Sequence, residues 1–133
     1  MTLRHHNYGY QRIVDHSYEE AVGRVTESLK KEGFGILTEI DVKAALKKKI
    51  GADVNKYIIL GACNPPFAHQ ALQAEEEIGL LLPCNVIVYS NQEGKTVISA
   101  MDPEAVLKLV DNPKIVPVAK EVTARLTRAL EAV

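Results

Sequence analysis

The hydrophobic residues of this chain fall into short runs that predict strands, separated by stretches with helical spacing. Five runs have the length and pattern of strands, at residues 8–15, 34–40, 57–62, 85–90 and 96–101. The run at 57–62 is hydrophobic on both faces, which is typical of a strand in the middle of a sheet. The last two runs flank a polar segment at 91–95 and predict a hairpin.

Helical spacing of hydrophobic residues predicts helices between these strands. The first helix begins after Ser17, which together with Glu20 has the pattern of a capping box. A short helix follows at 42–50, another starts at 102–103, and residues 113–133 carry the hydrophobic stripe of a longer one. No linker divides this order of elements. The sequence therefore predicts a single α+β domain over residues 1–133, with a mixed or antiparallel sheet and helices packed on it.

Charge and hydropathy narrow the classes of function. The chain has 133 residues, which suits one domain. Its net charge is −1, so it has no overall attraction for nucleic acid or for an anionic membrane surface. No hydrophobic run approaches the roughly 20 residues that span a bilayer, and the first ten residues do not resemble a secretory signal. We therefore expect a cytoplasmic protein that binds neither nucleic acid nor membrane.

The sequence contains none of the local signatures that name a reaction. It lacks the glycine-rich loops of nucleotide-binding proteins and the motifs of serine hydrolases and zinc proteases. It therefore identifies no cofactor and leaves open whether the protein is an enzyme. Its two cysteines are too few for a disulfide scaffold and indicate a reducing compartment. These cysteines are the residues from which a functional hypothesis starts.

Cys63 lies at the end of a predicted strand and directly before Asn64, the cap of a helix that starts at Pro65 and is expected to end at Gly79. Unpaired N–H groups and the positive end of a helix dipole stabilise a thiolate. We therefore expect Cys63 to have a lowered pKa and to alkylate faster than a free peptide thiol. Burial acts in the opposite direction, because desolvation disfavours the charged form. The alternative is a cysteine that only fills space in the core.

Cys84 follows Pro83 at the start of the next strand. The two cysteines can share a site only if strands 57–62 and 85–90 are antiparallel neighbours, because the end of one then lies beside the start of the other. The segments Cys-Asn-Pro and Pro-Cys-Asn-Val look like two halves of one site, and on this ground we predict that pairing. The predicted ligand-binding residues are Cys63, Asn64, Pro65, Cys84 and Asn85, the last as a hydrogen-bond donor.

A metal site has less support than a small-molecule site. A closed zinc site needs about four convergent ligands, and the sequence has no Cys-x-x-Cys to supply them. A soft ion such as Cu(I) between Cys63 and Cys84 is allowed, with His69 as a third candidate ligand. However, His69 falls on the polar side of its predicted helix. His5 and His6 lie near the terminus, where disorder is the usual state.

Three segments together resemble a known family. They are FGILTEIDV at 34–42, LGACNP at 60–65 and IGLLLPCNV at 78–86. In order and spacing they are similar to the family called domain of unknown function 302, over about residues 8–110. The resemblance implies a small α+β domain that forms a dimer, and it implies no established activity.

Two functional interpretations follow from the sequence. The first is a thiol-centred pocket that binds a small ligand or a soft metal, or that carries out redox chemistry, with Cys63 as the thiolate and Cys84 as its partner. The second is a non-catalytic homodimeric module whose cysteines only pack. A two-fold symmetric dimer is also predicted by residues 86–89, 97 and 98, which are hydrophobic on both faces of their strands. Burial of the two thiols distinguishes the interpretations.

Overall fold

Six strands form one sheet in which every neighbouring pair is antiparallel. In the computed structural model, which describes residues 2–133, the strands are β1 Arg4–His6, β2 Gly9–Val14, β3 Gly35–Asp41, β4 Tyr57–Cys63, β5 Cys84–Ser90 and β6 Thr96–Met101. Their order across the sheet is β1-β2-β6-β5-β4-β3. The predicted antiparallel pairing of β4 with β5 is confirmed, with Ala62 opposite Cys84.

The helices agree with the hydrophobic spacing in number and order. They are α1 Tyr18–Lys31, α2 Val42–Ile50, α3 Pro65–Ala74, α4 Pro103–Leu107 and α5 Val116–Glu131, with short 3₁₀ helices at Glu76–Leu81 and Lys108–Val110. Ser17 caps α1 as predicted, since its Oγ accepts a hydrogen bond from the Glu20 N–H at 3.1 Å. Together with the antiparallel sheet, these helices confirm the α+β class.

The core lies between one face of the sheet and the two long helices. α1 and α5 contact each other, and both pack on β6. Leu29 of α1 and Leu126 of α5 are 0% exposed, as are Val86 and Val88 of β5. Successive strand residues point to opposite faces, so Ile87 lies on the face away from these helices, where it is half-buried. The sheet is thus covered on one face and largely open on the other.

Arg12 connects the sheet to the end of α5 through hydrogen bonds. From β2, its Nη1 donates hydrogen bonds at 2.8 Å to the carbonyls of both Leu130 and Val133. The last carbonyls of a helix lack partners within the helix and carry its negative dipole end, which a guanidinium stabilises. This contact fixes the position of α5 over the covered face.

The segment before β2 differs from the sequence expectation. We expected disorder around His5 and His6, but Arg4–His6 forms β1 and pairs with β2. Side-chain contacts account for this order. His5 Nε2 donates to the buried carboxylate of Asp102 at 2.7 Å, and the His5 ring stacks on Tyr10 at 4.3 Å. These partners lie far away in the sequence or across a turn, so the residues around His5 do not reveal them.

Helix α3 is shorter than predicted. We expected it to end at Gly79, but it ends at Ala74 and a 3₁₀ helix follows. Asn112, in the loop before α5, donates its amide to the Ala74 carbonyl at 3.0 Å and to the Glu75 carboxylate at 3.1 Å. A carbonyl at a helix end needs such a partner, and here a distant residue provides it.

We predict that truncating a side chain in the core destabilises the protein far more than truncating an exposed side chain. Leu126→Ala should lower the free energy of unfolding by about 2–5 kcal/mol, because it removes a fully buried side chain and leaves a cavity. Leu109 is 80% exposed, and Leu109→Ala should change the same quantity by less than about 0.5 kcal/mol. Urea denaturation followed by circular dichroism measures both. Equal losses in the two variants would contradict this placement of the core.

Candidate functional site

A cavity of about 340 Å³ lies where β4 ends and β5 begins, between the end of the sheet and helices α3 and α5. Its wall is mainly hydrophobic. Representative lining residues are Phe34, Leu37, Phe67, Ala71, Leu82 and Val122. Because β4 and β5 are antiparallel, the carboxyl end of one strand and the amino end of the other meet at this point. The two segments that contain the cysteines therefore meet at this cavity.

Both cysteines line this cavity. Cys63 is half-buried, whereas Cys84 is 8% exposed. The two residues are not joined by a disulfide. In the β4–β5 register Ala62 is opposite Cys84, and Cys63 is the last residue of β4, just beyond this ladder. The wall of one cavity therefore contains two cysteines that are 21 positions apart in the chain.

The ionisation of the thiols differs from the sequence expectation. Burial raises the pKa of Cys63 above its usual value. Burial, and to a smaller extent the proximity of Cys63, raises the pKa of Cys84 to about 12. The expectation of a lowered pKa at Cys63 is therefore wrong. Both thiols are neutral at pH 7.

The double proline at the start of α3 explains this result. A helix N-terminus stabilises an anion mainly through its unpaired N–H groups. Pro65 and Pro66 occupy the first two positions of α3 and have no N–H. Cys63 therefore lies beside a helix start from which two of these donors are missing, and the cost of desolvation dominates.

Asn64 occupies the N-cap position of α3 as predicted, but its side chain supports the wall of the cavity and does not cap the helix. It is 7% exposed, and its side chain makes no capping hydrogen bond to α3. Its Nδ2 instead donates to the carbonyl of Glu32 at the end of α1, at 3.2 Å. The adjacent Gly33 has a φ of 89°, and an added Cβ there would lie 3.0 Å from Asn64 Nδ2. The contact thus depends on glycine at position 33.

Three other predicted residues lie outside the cavity lining. Asn85 follows Cys84 in β5, so its side chain is on the opposite face of the sheet, where it is exposed. Cys84 and Asn85 therefore do not share a pocket, and that expectation from the sequence is wrong. Pro65 and His69 are exposed and do not line the cavity. Among residues 2–133, no group of three or more His, Cys, Asp or Glu side chains is arranged to hold a metal ion.

Sequence reasoning missed most of the cavity wall. Val118 and Val122 belong to the hydrophobic stripe of α5 that was recognised, but the stripe does not show which members face empty space. Phe67 and Leu82 likewise have the pattern of ordinary core residues. No signal in the sequence separates a residue that lines a cavity from one that fills the core.

The fold and the cavity define a class of protein: a small α+β domain with a six-stranded antiparallel sheet and a hydrophobic cavity at one end of that sheet. The family "Domain of unknown function DUF302" matches residues 10–133, and the chain belongs to this family. The crystal structure of an uncharacterized conserved DUF302 protein from Bacillus stearothermophilus superposes with a TM-score of 0.87 at 31% identity. The match covers 93% of this chain and 96% of that chain.

Curated relatives are similar to part of the chain. "Fluoride-specific ion channel FluC 1" from Brucella suis biovar 1 (strain 1330) is 30% identical over 89 residues, which are 66% of this chain and 34% of that protein. The protein with the same name from Brucella abortus biovar 1 (strain 9-941) gives 30% identity over 66% of this chain and 32% of its own length. The chain thus spans about a third of these relatives. Within residues 2–133, no helix is both long and hydrophobic enough to cross a membrane.

We predict that both thiols react slowly at neutral pH. Cys63 should alkylate with iodoacetamide more slowly than a free peptide thiol at pH 7, because its raised pKa leaves less thiolate. Its rate should rise about tenfold per pH unit until the pH reaches that pKa, since the thiolate fraction grows in this proportion. Mass spectrometry of the native protein between pH 7 and pH 9 measures the rate.

The two cysteines should differ in their rate of alkylation. Replacing one of them by serine allows the rate of the other to be measured alone. In Cys63→Ser, the remaining Cys84 should label only after denaturation, because it is buried and its pKa is raised to about 12. In Cys84→Ser, Cys63 should keep the slow rate of the wild type. Labelling of Cys63 at pH 7 as fast as a peptide thiol would show that a thiolate is present after all.

Proposed function

We propose that this protein binds a small, uncharged, hydrophobic molecule in the cavity at the end of β4, with the thiols of Cys63 and Cys84 as part of its wall. The observation that carries the proposal is the cavity itself. Its volume of about 340 Å³ lies within the range of ligand pockets, and its hydrophobic lining with few polar groups has their usual character. A ligand of this kind would replace empty space with contacts to side chains that the fold already holds in place.

The ionisation of the cysteines supports binding over thiol chemistry. Thiol–disulfide exchange and nucleophilic attack both need a thiolate. Cys84 has a pKa raised to about 12, and burial also raises that of Cys63, so the reactive form is scarce at pH 7. The cavity therefore suits a ligand that contacts neutral sulfur atoms without reacting with them.

Charge argues against a soft metal ion in the same place. Two thiolates around a monovalent ion such as Cu(I) would carry a net charge of −1. None of the cavity-lining residues in the described part of the chain is Lys, Arg or His, so nothing in the wall compensates that charge. An uncompensated charge in hydrophobic surroundings is costly. An uncharged ligand avoids this cost.

The Brucella relatives support a binding module that works beside another protein segment. A stretch similar to 66% of this chain makes up 34% of a protein named as a fluoride-specific ion channel. The activity in that name belongs to a protein about three times as long as the matched stretch. For this chain we therefore propose a ligand-binding module that works beside another protein segment. We do not propose the channel activity itself.

A cavity-filling variant tests the proposal. N-phenyl-1-naphthylamine is uncharged and hydrophobic, and its emission should increase saturably with wild-type protein. Ala68 lines the cavity from α3, so Ala68→Phe should occupy the space and weaken this binding about tenfold or more, which corresponds to about 1.4 kcal/mol. Gln73→Phe adds the same ring on an exposed position of the same helix and should leave the binding unchanged.

Two results would overturn ligand binding in this cavity. One is a wild-type protein that gives no saturable signal with the probe while circular dichroism shows it folded. The other is an Ala68→Phe variant that binds the probe as well as wild type does. Native mass spectrometry of the purified protein adds a direct search for a small molecule that remains bound.

A second proposal concerns assembly, because one edge of the sheet is open to pairing. β3 is a seven-residue edge strand that pairs only with β4 within residues 2–133. Leu37 and Ile40 on it are 67% and 49% exposed. The unpaired N–H and C=O groups of such an edge strand are available to pair with another chain. We propose a homodimer in which β3 pairs with β3 of a second copy about a two-fold axis.

This interface replaces the one that the sequence suggested. Val86, Val88 and Ile98, three of the residues that first suggested a dimer, are each 0% exposed under the helices of the same chain, whereas Ile87 and Tyr89 are half-buried on the open face. Val97 is on the open face, but it is 2% exposed between Ile13 and Tyr89 of the neighbouring strands. The buried residues among them therefore need no second copy to cover them.

We predict that a charge on β3 separates the two copies. Analytical ultracentrifugation at micromolar concentration should give wild type about twice the chain mass of 14.6 kDa. Ile40→Lys should return the single-chain mass, because it places an ammonium group on the paired edge. Leu109→Lys changes a more exposed residue that does not belong to β3 and should remain dimeric. A wild type that sediments as a single chain would contradict the dimer.

A further inference from the structure

A groove of about 460 Å³ runs along the open face of the sheet, opposite the covered core. It extends from the turn before β2, across β6, to β5 and to Tyr57 at the start of β4. The aromatic and polar side chains that line it include His6, Tyr8, Gln11, Tyr57, Asn85 and Tyr89. The cavity with the thiols is on the other face, so this groove is a separate feature of the molecule.

Aromatic rings form much of the groove wall. Tyr57 and Tyr89 face each other across the β4–β5 ladder and stack with ring centroids 5.3 Å apart and planes at 17°. Tyr8 is 72% exposed and meets the His6 ring edge-on at 4.5 Å. Cross-strand stacking alone stabilises a sheet. It does not require the third, largely exposed tyrosine on the same groove.

Hydrogen-bonding groups accompany the rings. Gln11 Nε2 donates to the hydroxyl oxygen of Tyr89 at 3.1 Å, which leaves the Tyr89 O–H able to donate into the groove. The exposed amide of Asn85 supplies both a donor and an acceptor. Burial, then the neighbouring Tyr89 and Tyr8, raises the pKa of Tyr57, so its phenol stays neutral at pH 7.

The charge of the groove restricts what fits it. Of the described residues that line it, none is Lys, Arg, Asp or Glu, and His6 is the single basic side chain. Phosphate groups of a nucleic acid would find no cationic partner here. An uncharged molecule meets neither repulsion nor an uncompensated charge in the lining.

We propose that this groove binds a neutral heteroaromatic molecule, stacked on the tyrosine rings and hydrogen-bonded to Asn85 and to the Tyr89 hydroxyl. Aromatic faces favour offset stacking with a planar ring, and amide and phenol groups match the polar edge of a heterocycle. The site is independent of ligand binding in the thiol cavity. Each can exist without the other.

Titration with lumichrome, an uncharged heteroaromatic probe, tests the proposal. Its fluorescence should be quenched saturably when it stacks on tyrosine. Tyr89→Leu removes both the ring and the hydroxyl and should weaken binding about tenfold, whereas Tyr89→Phe keeps the ring and should weaken it about threefold. Asn85→Ala changes an exposed residue, keeps the fold and should weaken binding about fivefold.

Two controls assign the effect to the groove. Tyr18→Leu alters a tyrosine that does not line it, and Ala68→Phe fills the thiol cavity on the other face, so both should bind lumichrome as wild type does. The proposal is overturned if the wild type shows no saturable quenching. It is also overturned if Asn85→Ala and Tyr89→Phe both bind with unchanged affinity.

Discussion

The antiparallel register of β4 and β5 determines on which face of the sheet Cys84, Asn85 and the Tyr57–Tyr89 pair lie. Ala62 opposite Cys84 puts one pair on the helix-covered face, and Gly61 opposite Asn85 puts the next pair on the open face. A slip of one residue would exchange the faces, because side chains alternate along a strand. Gly61 helps to fix this register. A Cβ there would collide with the Thr38 side chain and the Pro83 ring, so only glycine lets the neighbouring segments approach β4 this closely.

Burial, rather than proximity to a helix end, determines the chemistry of the thiols. The same ladder that brings Cys63 and Cys84 to one cavity also surrounds them with hydrophobic side chains. Water is the best stabiliser of a thiolate in the absence of donors or cations, and this arrangement excludes it from Cys84 and reduces it around Cys63. Pro65 and Pro66 provide no N–H in its place. A cysteine next to a helix start is therefore a candidate nucleophile only when the first helical residues can donate.

Local patterns in the sequence were sufficient for most elements and for the central pairing. Hydrophobic spacing located five of the six strands, and the capping box at Ser17 located the start of α1. What the sequence could not predict depends on contacts between distant residues. β1 is held by Asp102, and α3 ends where Asn112 reaches its last carbonyl. The candidate site shows the same limit, because the two cysteines were found but their ionisation and the opposite placement of Asn85 follow from tertiary burial and strand alternation.

The two faces of the sheet give this domain two different environments from the same two strands. The covered face offers a hydrophobic cavity with neutral sulfur atoms, and the open face offers aromatic rings with amides and hydroxyls. Cys84 and Asn85 are consecutive residues of β5, so the two environments share a continuous backbone. A shift of β5 along its length would disturb both, because it would break the ladder hydrogen bonds that hold the two pairs in register. The constraint that positions the thiols thus also positions the tyrosine groove.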